Sequence, residues 1–206
     1  MAVNMALKRA RKAAYRKAVL AERRRTEAVD SSRAGRVRLA AKGPIRQCLL
    51  SDGLFDTGMG MLMLVRSLPN GQFAMASFLL DVLCLGIKDV DFKMVSADEI
   101  DTYLAVMDQA DPLSPVEPAY ARKLLGDLAA WCQSFGQAPH RDFAGIEPIF
   151  GDVSAASSDV AFRFGRDGKP VYMPGPFETP AIVNRRIEQL RAHLGEGGFD
   201  YLAAVD

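Results

Sequence analysis

Residues 58–95, GMGMLMLVRSLPNGQFAMASFLLDVLCLGIKDVDFKMV, are the most apolar part of the chain and leave it few choices of fold. A first run, 58–65, carries no charge, and a second, 73–87, carries one, Asp81. Between them stands Pro69-Asn70-Gly71, where Asn and Gly tolerate positive φ. Two apolar runs joined by such a turn predict a β-hairpin. Neither run alternates cleanly, so both faces of these strands are expected to be covered. A membrane span is excluded, because Arg66, Pro69, Asn70 and Gly71 interrupt the apolar surface short of the ~20 residues a span needs.

The net charge of +1 is an average over two opposite parts. Residues 1–42 hold 13 Lys and Arg against three acids (Glu22, Glu27, Asp30), a net +10. The remainder holds 13 basic and 22 acidic residues, a net −9. A basic arm ahead of an acidic body is the pattern of an interaction tail. At 206 residues, 49% of them hydrophobic, the chain has room for one domain with a real core plus that tail. Three cysteines, Cys48, Cys84 and Cys132, are an odd number without paired spacing, which fits a reducing, cytoplasmic compartment. No apolar h-region follows the early charges, so no signal peptide is read. The Arg-rich, acid-poor start also has the composition of an organelle transit peptide.

Residues 1–25 have helix-forming composition. Leu7, Ala10, Ala14, Ala18 and Ala21 make a thin apolar stripe, surrounded by Lys8, Arg9, Arg11, Lys12, Arg16, Lys17, Arg23, Arg24 and Arg25. Alone, such a helix is marginal, because its like charges repel and it buries little. It reads either as a solvated, helical or disordered tail, or as an arm that orders on nucleic acid, whose phosphates neutralise the repulsion. RNA or the ribosome is the favoured partner. No broad apolar face exists to enter a lipid surface. Asp30-Ser31-Ser32-Arg33-Ala34-Gly35 reads as a linker, which divides the chain into an arm, 1–42, and a body, 43–206.

Within the body, 45–50 reads as a strand or short helix, and 87–95 as a third strand or strand extension. Ser96-Ala97-Asp98-Glu99 is a capping-box signature and predicts a helix over 97–107. Ser114-Pro115-Val116-Glu117 repeats it with Pro at the first helical position and predicts a helix to about Phe135, ended by Gly136. Ala121, Leu124, Leu128, Trp131 and Phe135 form its core face. Residues 137–151 are irregular. Residues 160–164 and 170–173 read as strands around the turn Gly165-Arg166-Asp167-Gly168-Lys169. Thr179-Pro180 opens a last helix with Val183, Ile187, Leu190 and Leu194 inward, ended by Gly195. Phe199, Tyr201 and Leu202 are expected to dock on the body. The sum is an α+β domain: a central apolar hairpin sheet packed by helices, preceded by the basic arm.

Chemistry-bearing motifs are sparse. Gly165 to Lys169 fails as a phosphate loop, because two residues rather than four separate its glycines and Pro170 follows the lysine. No C-x-x-C or H-x-x-x-H spacing exists, so neither a metal site nor a cofactor is read. Asp81, inside an apolar run, needs a partner: Lys88, Arg66 or a backbone turn. Cys84 on a strand is first a small buried hydrophobe. As a nucleophile it needs a base within hydrogen-bond reach, which only His140, oriented by Asp142, would supply. His193 lies in a helix's last turn, where the dipole accounts for it.

The segments LFDTGMGMLMLVRSLPNGQFAMASFLLDVLCLGIKDV and FGRDGKPVYMPGPFETP…LGEGGFDYL resemble an uncharacterised family of bacterial hypothetical proteins. In that family an apolar hairpin ends in Cys-Leu-Gly-x-Lys and a Gly-x-Asp-Gly-Lys-Pro turn precedes the last helix. The resemblance covers most of residues 45–203. It implies a bacterial cytoplasmic protein of one domain and carries over no catalytic residue.

Three readings of function follow. The first is a non-enzymatic binding protein whose arm grips RNA or ribosome phosphates and whose acidic body meets a protein partner. The second is a thiol-dependent enzyme using Cys84, His140 and Asp142. The third is a protein-protein adaptor with a solubilising tail.

Overall fold

A computed structural model describes residues 32–202. Among the described residues, a helix α1 (Arg33–Ala40) and a strand β1 (Ile45–Ser51) come first. After a one-turn helix α2 (Leu54–Thr57), the apolar stretch folds as three strands: β2 (Met59–Ser67), β3 (Phe73–Asp81) and β4 (Gly86–Val95). Helix α3 (Ala97–Ala110) and a short strand β5 (Leu113–Pro115) lead to the main helix α4 (Pro118–Gln133). An irregular region follows, with a one-turn helix α5 (Phe143–Ile146) and 3-10 turns over Glu147–Phe150 and Ala155–Ser157. The described chain closes with β6 (Val171–Tyr172), helix α6 (Pro180–Leu194) and β7 (Asp200–Tyr201). This is an α+β fold.

The main sheet has the order β4-β3-β2-β1-β5, with each neighbouring pair antiparallel. Ser67 faces Phe73 across the central hairpin, and Leu68 N–H donates to the Gln72 carbonyl at 2.8 Å. Gly71 takes φ +76°, so the turn is a three-residue loop with glycine in the left-handed position. The sheet is covered on both faces, which explains why the strand sequences do not alternate. Leu62, Leu64, Ala76, Phe78, Leu80 and Phe92 point into the larger core against α4, the 3-10 turn at Ile149 and Phe150, and α1. Met63, Val65, Phe73, Met75 and Val95 point the other way, where Ile100 of α3 meets them. Met63 and Met75 are therefore core filling, while Met59 is 36% exposed. Phe78 is wholly buried, worth roughly 1.5–3 kcal/mol on transfer alone.

Several local expectations are corrected. Residues 32–35 of the stretch read as a linker are the N-cap and first turn of α1. Ser32 caps α1 by accepting from Gly35 N–H at 3.0 Å, and Val37 and Ala40 are 0% and 1% exposed in the main core. Two apolar residues one turn apart suffice to dock this arginine-rich helix. The signature at Ser114 does not start a helix: residues 113–115 pair with β1, Ser114 opposite Leu50, and α4 begins at Pro118 after Glu117. Residues 160–164 join no ladder. They pack against α4, with Phe162 against Tyr120 at 4.9 Å and Phe164 against Trp131 at 5.5 Å. The segment after the Asp167-Gly168 turn pairs instead with the C-terminal strand, β6 beside β7 in parallel. Of the three C-terminal residues expected to dock, only Phe199 is buried. Tyr201 and Leu202 are about half exposed, at 47% and 54%. Among the described residues no helix is long and apolar enough to cross a membrane.

Candidate functional site

The arm residues Lys8, Arg9, Arg11, Lys12, Arg16, Lys17, Arg23, Arg24 and Arg25 lie outside the described residues. The second set, Cys84, His140 and Asp142, lies within them: His140 and Asp142 are in contact, and no hydrogen bond joins either to Cys84 among the described residues. Cys84 is 0% exposed in the core beneath the β3–β4 turn, and its backbone carbonyl accepts from the Cys132 thiol at 3.5 Å. Burial, with the Asp81 carboxylate adding to it, pushes the Cys84 thiol up to about 12. No thiolate forms there near neutrality, and no substrate reaches it. His140 is held elsewhere. Its backbone N–H donates to the Ile87 carbonyl at 2.8 Å, and its Nδ1 accepts from Asp142 N–H at 3.3 Å. Its Nε2 faces Asp89 Oδ1 at 3.8 Å. The Asp142 carboxylate does not orient the imidazole; it accepts from Arg33 Nη1 at 2.9 Å. His140 thus has one ring nitrogen on a backbone amide and the other facing a carboxylate.

Asp81 finds its partner in the backbone turn. Its Oδ1 accepts from Leu83 N–H at 3.0 Å and Cys84 N–H at 2.9 Å, with Lys88 adding a favourable charge. Gly86 closes the same turn at φ +70°. A Cβ there would come within 2.8 Å of Cys132 Sγ, so the glycine of Cys-Leu-Gly is demanded by the approach of α4.

The polar feature that sequence reasoning missed is Arg66. It is the only charge in β2, is 4% exposed, and makes no ion pair among the described residues. Its guanidinium donates through Nε to the Ile149 carbonyl (2.7 Å), through Nη1 to the Gly43 carbonyl (2.5 Å) and through Nη2 to the Phe150 carbonyl (2.6 Å). Burial lowers its pKa, opposed by the more distant Asp152. Two glycines make this clamp feasible. A Cβ on Gly43 would stand 2.1 Å from the Ser67 carbonyl oxygen. One on Gly151, which has φ +62°, would meet the Ala41 carbonyl oxygen at 2.8 Å and Arg66 Nη2 at 3.1 Å. Arg122 grips the same turn from its other side, through the carbonyls of Gly151 (3.1 Å) and Val153 (2.5 Å) and the Glu147 carboxylate (2.8 Å).

Arg66 lies at the inner wall of an open cleft of about 780 Å³ between the end of α1, the start of β1 and the Gly151 turn. Exposed Arg38 and Lys42 line its rim, and Asp152 is the only acid on it. The signal for this site was present in the sequence as a lone arginine ending an uncharged strand. Its partners are backbone carbonyls, two of them over eighty residues downstream, and have no side-chain signature. Among the described residues no three His, Cys, Asp or Glu side chains gather as a metal site. Comparison with protein-family models, with curated proteins and with solved structures finds no match.

Proposed function

We propose that this chain is a non-enzymatic nucleic-acid-binding protein whose basic N-terminal part grips phosphates, those of RNA or the ribosome in preference to DNA. The observation that carries the reading is the partition of charge: net +10 over residues 1–42 against −9 over the rest. The described end of that segment supports it. Arg36, Arg38 and Lys42 are exposed and make no ion pair among the described residues. The acidic body is the part that meets a protein partner, and α3 offers Asp98, Glu99, Asp101 and Asp108 without one basic residue. A charged segment without a groove-reading element gives affinity with little sequence specificity.

The test is binding of a fluorescent single-stranded RNA by the full-length protein across a salt series. A full-length variant with the nine basic residues from Lys8 to Arg25 changed to glutamine serves as the comparison. If six to ten phosphates are neutralised, affinity falls by about 10³–10⁵ between 50 and 200 mM salt, and the variant binds hardly at all. Equal binding by both proteins, or none at 50 mM salt, overturns the reading. Duplex DNA as competitor then ranks the two nucleic acids.

A further inference from the structure

We propose that the cleft lined by Arg38, Lys42 and Arg66 is a binding site for a phosphate group. The argument starts from the buried cation. Arg66 donates three hydrogen bonds to carbonyl oxygens, which satisfy its geometry with dipoles but bring no net negative charge. A guanidinium removed from water is held far better by an anion than by neutral acceptors, and its planar fork suits two phosphate oxygens at once. Five N–H bonds are available to a guanidinium, so two remain beyond the three used here. One belongs to each terminal nitrogen, Nη1 and Nη2, of a residue that lines the cleft.

The rim supplies the rest of the charge. Arg38 comes from the last turn of α1 and Lys42 from the turn after it, both exposed and without ion pairs among the described residues. Against these three cations the cleft presents one acid, the exposed Asp152. The site is also built rather than incidental, since Gly43 and Gly151 are sterically required for the backbone to close around Arg66. Its chemistry fits a phosphodiester of RNA or the phosphate of a small ester. The inference rests on the nucleic-acid reading only for the first of these sources.

The experiment follows backbone amide resonances of the full-length protein in two titrations. One uses inorganic phosphate at ionic strength held constant with chloride, the other a short single-stranded RNA. Phosphate should give saturable shifts at Gly43, Gly151 and Asp152. Arg38→Ala with Lys42→Ala should weaken phosphate binding about tenfold or more. Asp152→Asn should tighten it by about two- to fivefold, a gain that mere disturbance of the fold would not produce. In the RNA titration the Arg38→Ala/Lys42→Ala variant should lose about one unit of salt slope. Absence of saturable shifts, or phosphate affinity unchanged in all variants, overturns the site whatever the arm does. Saturable phosphate binding with no RNA binding supports the site with a small phosphate ester and sinks the nucleic-acid reading instead.

Discussion

Asp81 and Arg66 are the two charges that the central strands carry inward, and backbone groups rather than each other hold them. Burial raises the Asp81 carboxyl above its ordinary 3.8, against the lowering effect of the Cys84 and Leu83 amides and of Lys88. The folded protein thus binds this proton more tightly than the unfolded chain does. The stability it contributes is fully present below about pH 3.8 and is lost as pH rises through the raised folded value. Asp81→Asn should abolish that dependence, so its stability relative to wild type improves as pH climbs from about 4. Urea unfolding at several pH values checks this, and parallel profiles would refute it. Asp81→Ala should instead destabilise at every pH by about 1–3 kcal/mol, because buried amides lose their acceptor.

At the scale of elements, local signals prevailed where nothing long-range competed. The Ser96 hydroxyl accepts from Glu99 N–H, and the Glu99 carboxylate accepts from Ser96 N–H at 2.7 Å, so α3 starts where its signature predicts. Ser96→Ala should lower stability by about 1 kcal/mol, read from the urea midpoint, with the helix otherwise intact. No change would mean that Ile100 packing alone holds α3. The same signature at Ser114 lost to the sheet, because the edge of β1 offered ladder hydrogen bonds over Leu49–Ser51. Pro115 is tolerated there, on an edge strand with no further neighbour. Residues 160–164 had the composition of a strand but pair with neither edge of the main sheet, and aromatic packing against α4 holds them instead.

At the scale of the molecule, one core cluster gathers Cys48 of β1, Cys84 of the β3–β4 turn, where a strand was expected, and Cys132 of α4, at 5%, 0% and 1% exposure. Burial pushes Cys48 and Cys84 up to about 12 and raises Cys132 as well. In native protein at pH 8, all three should resist an aromatic disulfide reagent and then react together as urea unfolds the domain. Rapid native labelling of Cys84 would reopen the thiol reading that its burial closes. The hairpin, the inward faces of α4 and α6, and the α+β class were legible in the sequence, because apolar periodicity and turn residues report which backbone conformation buries the most surface. The docking of α1, the pairing of β5 and β6, and the clamp around Arg66 were decided only by tertiary structure. Each depends on apolar contacts, backbone hydrogen bonds or steric approach between segments far apart in the chain. Carbonyl oxygens are the same at every residue, so no local pattern records which of them a distant arginine will meet.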